Sequence, residues 1–319
     1  MTPFRVFAAG SMAAGLGLLS FFGPAATAET PRTLQGSAPE QRGQIRVEVS
    51  LVNMLASVLD KNSRPAPDLT REQFEIYEEG KPQKVEVFEP ETQQPLDLAL
   101  MIDTSLSELS DLSFETDAAA HFIAQVVRKG DRLAVFEFAD RVTQLTSFSD
   151  DIPRLQTAVR HVVPGDGTAV YDAVYLGSEA LARGATGRRR VLILITDAGE
   201  TTSRADFETA RRAALRAEAL LYTIVVRPVK SEGGRNTAGE HALETIAGST
   251  GGASYYPDVL PQLPAMFDRI DRELRTQYRL GYYPEPRPPR GVYRQIEVRV
   301  KGDYTVRSRK AYYSGGPEE

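Results

Sequence analysis

The sequence predicts a three-layer α/β/α domain with a doubly wound, mostly parallel sheet, inserted in or flanked by a small β-sandwich. Two nearly continuous apolar runs, Leu96–Ile102 and Val191–Thr196, are typical of parallel strands covered on both faces. Amphipathic segments such as Leu112–Arg128 alternate with such runs, as helices that pack on a sheet would. Outside this region, short stretches such as Phe74–Glu78 and Tyr293–Val300 alternate apolar and polar residues, which predicts half-buried strands.

The predicted elements change in character along the chain. In the N-terminal flank we predict strands over 45–52, 55–59, 74–78 and 84–88, with turns at 60–65 and 79–82. In the centre we predict strands over 96–102, 132–138, 142–145, 191–196, 220–226 and 253–256. Helices are predicted over 112–128, 152–162, 170–183, 205–218, 238–249 and 260–274. In the C-terminal flank we predict strands over 277–283, 293–300 and 304–308. The repeated strand–helix units imply a parallel sheet with helices on both faces.

Changes of pattern near Pro95 and Arg275 divide the chain into segments. We predict a signal peptide (1–28), a flexible lead-in (29–43), a β segment (44–92), the α/β domain (93–275), a second β segment (276–313) and a tail (314–319). Neither β segment has enough strands to bury a face alone. We therefore expect residues 44–90 to contact residues 276–313 and to form one sandwich with them.

Residues 1–28 have the features of a secretory signal peptide. Arg5 supplies the positive start, Val6–Phe22 is apolar, and Ala26-Thr27-Ala28 has the form of a cleavage site. A membrane anchor is the alternative, but glycine and serine residues interrupt the apolar run, which is shorter than the roughly 20 residues of a span. We expect cleavage after Ala28 and a secreted or periplasmic protein without a stable membrane anchor.

Composition excludes several classes of function. The net charge of −5 argues against a nucleic-acid-binding protein, and the absence of cysteine excludes disulfides and thiolate metal sites. The sequence contains neither a Gly-x-Ser-x-Gly elbow nor a phosphate-binding Gly-x-x-x-x-Gly-Lys loop, so we expect no enzymatic activity. The three histidines have no metal-like spacing. We interpret Arg188-Arg189-Arg190 as a solvated turn before a buried strand rather than as a functional basic patch.

Three polar loops follow predicted strands or open a helix. They are Asp103-Thr104-Ser105-Leu106-Ser107, the segment Gly165–Ala173, and Thr196-Asp197-Ala198-Gly199. In doubly wound sheets, ligands bind outside the carboxyl ends of the strands. Taken singly, the serines and threonines could cap helices and the aspartates could form turns; together they predict a site.

The Asp-x-Ser-x-Ser loop, the threonine in a Gly-Thr helix start and the aspartate after a later strand resemble the metal-ion-dependent adhesion site of von Willebrand factor A domains. The resemblance covers residues 95–274, and the flanks resemble a secreted bacterial group called VWFA-related. It implies one divalent cation, Mg²⁺ in the first place with Mn²⁺ or Ca²⁺ possible. It also implies a partner protein whose Asp or Glu carboxylate completes the coordination. The implied ligands are Asp103, Ser105, Ser107, Thr168 and Asp197.

Several readings of this site stay open at the level of sequence. The family loop most often has glycine and methionine where this chain has Leu106 and Glu108, and these two residues could weaken the metal site. Glu108 and Asp111 could attract a second cation, whereas we interpret Asp172 as a structural hydrogen-bond acceptor. The alternative functions are a structural or envelope-assembly factor with an incidental metal site, and a metal-dependent hydrolase with Glu108 as its base.

Overall fold

The computed structural model describes residues 51–90, 93–106, 112–226 and 236–314, all of which belong to one compact unit. The predicted signal peptide and lead-in, and most of the strand predicted over 45–52, lie outside the described residues. So do Ser107, Glu108 and Asp111, and residues 315–319 of the predicted tail.

Within the described residues, the two flanking segments consist mainly of strands, and the central segment alternates between strands and helices. The strands are β1 (Val52–Leu59), β2 (Phe74–Glu78), β3 (Lys81–Gln83), β4 (Val87–Glu89), β5 (Leu96–Asp103), β6 (Arg132–Phe138), β7 (Val142–Gln144), β8 (Arg189–Thr196), β9 (Ala219–Val225), β10 (Ala253–Tyr255), β11 (Tyr278–Tyr282), β12 (Val292–Val300), β13 (Thr305–Ser308) and β14 (Ala311–Ser314). The helices are α1 (Leu112–Val126), α2 (Ile152–Val159), α3 (Val170–Ala182), α4 (Phe207–Arg216), α5 (Thr237–Thr250) and α6 (Leu263–Arg275).

The central sheet has the order β10-β9-β8-β5-β6-β7, and only β7 runs antiparallel to its neighbour. Every residue of β5 is buried, because one hydrophobic core packs on each face of the sheet. One core includes Phe122 and Phe267 from α1 and α6, whose rings stack at 4.5 Å, and the other includes Val174 of α3. The predicted three-layer α/β/α fold is confirmed.

The flanking segments form a sandwich of two four-stranded sheets, β13-β1-β11-β4 and β14-β12-β2-β3. Strand β1 pairs antiparallel with β11 and β13, and β2 pairs antiparallel with β12. Each sheet therefore combines strands from before and after the α/β region. Phe74, Phe88 and Tyr278 meet in the sandwich core with ring centroids 4.8 to 5.7 Å apart. The expected contact between the two flanks is confirmed.

Two local predictions in the flanks are wrong. The turn predicted over 79–82 is only Glu79-Gly80, both with positive φ (48° and 74°), as in the tight turns that suit hairpins. Lys81–Gln83 then pairs with β2, and Pro82 is tolerated because β3 is an edge strand. The strand predicted over 84–88 is displaced to Val87–Glu89 and joins the other sheet. Strand β14, which pairs with β12, was not predicted.

The interpretation of the three arginines as a solvated turn is also wrong. Arg189 begins β8 and is only 4% exposed. Its guanidinium donates to the carbonyl oxygens of Gln94 (2.9 Å) and Leu274 (2.5 Å). Because these carbonyls come from distant parts of the chain, local sequence gives no sign that the cation will be buried.

The turn between α5 and β10 supports a prediction about close backbone packing. A Cβ on Gly252 would lie 1.9 Å from the carbonyl oxygen of Leu221, so Gly252→Ala forces the backbones apart and should destabilise the protein by about 1–3 kcal/mol. Gly248 is exposed within α5 with open space around it, so Gly248→Ala should stabilise by about 0.8–1 kcal/mol. Urea unfolding of both variants measures the difference. Equal effects of the two substitutions would contradict the packing at Gly252.

Candidate functional site

The first and third polar loops leave neighbouring strands at the same edge of the central sheet. Asp103 is the last residue of β5, and Asp197 directly follows β8, which pairs in parallel with β5. From β5 the chain proceeds to β6 on one side of the sheet and later returns to β8 on the other side. The strand order therefore reverses between β5 and β8. This is the position at which doubly wound sheets open a crevice for ligands.

Backbone contacts tie the second loop to the first. Ser105 forms an isolated parallel bridge with Gly165, and the Gly165 N–H donates to the carbonyl oxygen of Thr104 at 2.9 Å. Thr104 in turn donates its N–H to the carbonyl of Phe138 at the end of β6, at 2.8 Å. The first loop is therefore held between β6 and the loop that leads to α3.

The second and third loops meet at Thr168. Its N–H donates to Thr201 Oγ1 (2.8 Å), and the Thr201 N–H donates back to the Thr168 carbonyl (2.9 Å). A Cβ placed on Gly199 would lie 2.9 Å from Asp197 Oδ1 and 3.5 Å from Thr168 Oγ1. A carboxylate oxygen and a hydroxyl oxygen thus border one small space that only glycine leaves open.

Asp103 is fully buried at the base of this arrangement. Its Oδ2 accepts from Thr196 Oγ1 at 2.6 Å, and its Oδ1 accepts from the Ser105 N–H at 3.0 Å. The pKa of Asp103 is raised to about 6, mainly by burial and to a smaller extent by the charge of Asp197. The hydrogen bonds from Thr196 and Ser105 act in the opposite direction. A second carboxylate close to a buried one is electrostatically unfavourable unless a positive charge balances the pair.

The backbone after β8 holds Asp197 in place. Ala198 has a positive φ of 65°, which is uncommon for a residue with a side chain. Its N–H donates to Thr196 Oγ1 at 3.1 Å, and Asn236 Nδ2 donates to its carbonyl at 2.8 Å. The Gly199 N–H donates to Asp197 Oδ1 at 2.7 Å. The carboxylate therefore has a fixed position.

The structure brings together four of the five residues predicted as ligands, namely Asp103, Ser105, Thr168 and Asp197; Ser107 lies outside the described residues. Leu106 is 54% exposed, so its side chain does not fill the space between the loops. Asp172 accepts from the N–H groups of Arg204 (3.1 Å) and Ala205 (2.8 Å), which confirms its structural role.

Sequence reasoning missed the supporting hydroxyls of Thr196 and Thr201. The third loop as predicted from the sequence contains Thr196 only as the end of a strand, and it does not reach Thr201. The one signal in the sequence is that both threonines lie within four residues of Asp197. Their partners, Asp103 and Thr168, are brought near by the sheet and not by the local chain.

The donor set fits a hard divalent cation. A carboxylate oxygen of Asp197 and the hydroxyl oxygen of Thr168 border one space, Asp103 lies close to Asp197, and Mg²⁺ prefers oxygen ligands in a compact array. The described residues contain no group of three or more His, Cys, Asp or Glu suited to a metal ion. The candidate site differs from such a cluster because neutral hydroxyls supply a large part of its oxygens.

Comparison with known protein families shows which family the central region resembles. Residues 98–200 match the family model of the von Willebrand factor type A domain, and this range contains Asp103, Ser105, Thr168 and Asp197. This region of the chain is therefore similar to a von Willebrand factor type A domain.

Several solved structures are similar to this chain at low sequence identity. A von Willebrand factor type A protein from Catenulispora acidiphila is 12% identical, covers 84% of this chain and 75% of its own, and superposes with a TM-score of 0.50. The von Willebrand factor domain of the type V pili tip protein Mfa5 from Porphyromonas gingivalis is 13% identical, with 57% and 95% covered and a TM-score of 0.47. The conserved hypothetical protein BatB from Bacteroides thetaiotaomicron is 17% identical, with 56% and 98% covered and a TM-score of 0.45.

Two further comparisons gave negative results. No curated protein matches the chain in sequence. Among the described residues, no helix is both long enough and apolar enough to cross a membrane.

Proposed function

We propose that this chain is a secreted or periplasmic, non-enzymatic protein that binds a partner protein through one divalent cation. The cation, Mg²⁺ in the first place with Mn²⁺ or Ca²⁺ as substitutes, is held by Asp103, Ser105, Ser107, Thr168 and Asp197. The observation that carries the proposal is the convergence of the three loops: Asp197 Oδ1 and Thr168 Oγ1 border one open space, and the buried Asp103 lies close enough to Asp197 to feel its charge.

The chemistry of the donor set supports a role in recognition. Hydroxyl ligands carry no charge, so they leave a bound dication less neutralised than a cage of carboxylates would. Asp103 already accepts hydrogen bonds at both oxygens, which further limits the negative charge it presents. A dication in such a site retains affinity for an external anion, and an Asp or Glu carboxylate of a partner supplies one in a strong charge-assisted contact.

The surroundings of the site support a fixed geometry rather than one that forms on binding. Backbone hydrogen bonds join the second loop to the first and to the segment after β8, and Ala198 is held in its uncommon conformation by Thr196 and Asn236. A preorganised site loses little conformational entropy when a partner arrives. The cation would therefore present its open face in one orientation.

A display experiment tests this function. A library of random peptides is selected on immobilised residues 29–319 in Mg²⁺, and bound peptides are eluted with EDTA. We expect the eluted pool to be enriched in peptides with Asp or Glu, because only a carboxylate completes the cation's coordination. The same selection on Asp103→Asn should give no enrichment. Peptides that lack acidic residues, or that stay bound in EDTA, would contradict the proposal.

A further inference from the structure

A second site lies at the opposite, amino-terminal end of the parallel strands. A cavity of about 100 Å³ lies between the α/β domain and the sandwich, and its lining includes one carboxylate, Glu218, and five arginines: Arg188, Arg189, Arg190, Arg279 and Arg309. We propose that this cavity binds a small, doubly charged oxyanion such as inorganic phosphate. It is distinct from the cation site, which lies at the carboxyl ends of β5 and β8.

Three of these arginines have carboxylate partners. Arg188 Nε pairs with Asp97 at 2.6 Å, Arg279 Nη1 with Glu89 at 2.6 Å, and Arg309 Nη1 with Glu218 at 2.6 Å. Asp97 is shared, because it also pairs with Arg132 at 2.7 Å. These carboxylates therefore neutralise the arginines with which they pair.

Arg189 and Arg190 have no ion-pair partner among the described residues. Arg189 is held by neutral acceptors, the carbonyls of Gln94 and Leu274 and the side chain of Gln277. Arg190 Nη1 donates to the carbonyl of Ala217 at 2.9 Å. Burial and the charge of Arg275 lower the pKa of Arg189 to about 10, and the nearby charge of Asp131 offsets only part of this effect. Two unmatched positive charges at one cavity favour a dianion.

Unused hydrogen-bond donors point to the same ligand. Arg190 Nε and Arg309 Nε are buried and have no acceptor within the described part of the chain. Arg190 uses only Nη1, so Nε and Nη2, the two donors that form a bidentate fork with an oxyanion, are both free. Arg309 uses Nη1 and Nη2 on Glu218 and on the carbonyl of Asn53, which fixes the plane of its guanidinium. A buried donor without an acceptor costs about 1–3 kcal/mol, so a ligand that accepts from either group is favoured.

The size of the cavity limits what it takes. A single buried water needs roughly 10–15 Å³ by the same measure, so about 100 Å³ has room for a small oxyanion but not for a large organic ligand. Arg190 belongs to the α/β domain, whereas Arg279 and Arg309 belong to the sandwich. A bound dianion would therefore connect the two parts of the protein.

Thermal unfolding and calorimetry of residues 29–319 test the proposal. Both are run in EDTA with sodium phosphate, sodium sulfate, sodium acetate or sodium chloride at equal ionic strength, so that the cation site plays no part. Phosphate at about 100 times its dissociation constant should raise Tm by several degrees, with saturable heats of binding. Acetate, a monoanion, should bind at least tenfold more weakly. A phosphomonoester of a bulky alcohol serves as a control that distinguishes free phosphate from a phosphate group carried by a larger ligand. We expect this ester not to bind.

A matched pair of variants locates the site. Arg190→Gln should weaken phosphate binding at least tenfold, whereas Arg183→Gln, which removes an exposed arginine at the end of α3, should leave it unchanged. In the unaltered protein, the ¹⁵Nε–¹Hε NMR signals of the buried arginines should shift on addition of phosphate, a measurement that does not depend on the variants folding. The proposal is overturned if chloride stabilises as much as phosphate, if acetate or the ester binds as tightly, or if the buried Nε–H signals do not respond.

Discussion

Magnesium should raise the free energy of unfolding of residues 29–319 by about 2.7 kcal/mol at roughly 100 times its dissociation constant, and Tm by several degrees. The physical reason is that Asp103 is buried close to Asp197, and both its burial and the charge of Asp197 disfavour its ionised form. A dication relieves this repulsion in the folded state only. Thermal unfolding in EDTA, Mg²⁺, Mn²⁺ and Ca²⁺ measures the effect, and Asp103→Asn should abolish it.

Asp166→Asn is the matched control for this experiment. Asp166 lies in the same loop as Thr168, but it is exposed and takes part in no described ion pair. Its loss should leave the response to Mg²⁺ intact, because a specific site does not depend on the general negative charge of its surroundings. An equal loss of response in both variants would mean that Mg²⁺ only screens surface charge. No response in the unaltered protein would mean that the site does not hold a cation.

The fold could be predicted because its signals are local. Continuous apolar runs such as Leu96–Ile102 identify strands buried on both faces, and the alternation in Phe74–Glu78 identifies a strand with one wet face. The convergence of the loops could be predicted because residues at the carboxyl ends of parallel strands meet at one edge, whereas the ligand set is what the family resemblance implies. Asp103 and Asp197 therefore come together as a consequence of topology, and no knowledge of their side-chain contacts was needed.

Features that depend on distant partners could not be predicted in this way. Arg189 is buried because the Leu274 carbonyl, 85 residues away, accepts its N–H. Thr196 supports Asp103 only because β5 and β8 are neighbours in the sheet. The turn at Glu79-Gly80 was placed two residues too long, because both residues adopt positive φ and so close a shorter turn. For Arg189 and Thr196 the local pattern is the same whether or not the distant contact forms.

A buried cluster around Glu273 joins the α/β domain to the sandwich. Glu273, in α6, is 3% exposed, and its Oε1 accepts from the Tyr222 hydroxyl of β9 at 3.1 Å. Its Oε2 accepts from the Tyr255 hydroxyl of β10 at 3.1 Å and from Arg307 Nη1 of β13 at 2.8 Å. Burial raises the pKa of Tyr255 to about 12, so this hydroxyl keeps its proton and remains a donor. One carboxylate therefore satisfies three groups from three strands.

Glu273→Ala should destabilise the protein by about 3–5 kcal/mol, because it leaves Arg307 without its carboxylate and two buried hydroxyls without an acceptor. Glu244→Ala is the matched control: Glu244 also accepts from a tyrosine, Tyr256, at 2.7 Å, but it is half exposed, and its loss should cost less than about 1 kcal/mol. Urea unfolding of the two variants gives the comparison, and similar costs would show that water replaces Glu273 readily. Because Arg307 belongs to the sandwich and Glu273 to the last helix of the α/β domain, a large cost confined to Glu273 would mean that this contact between the two parts contributes strongly to stability.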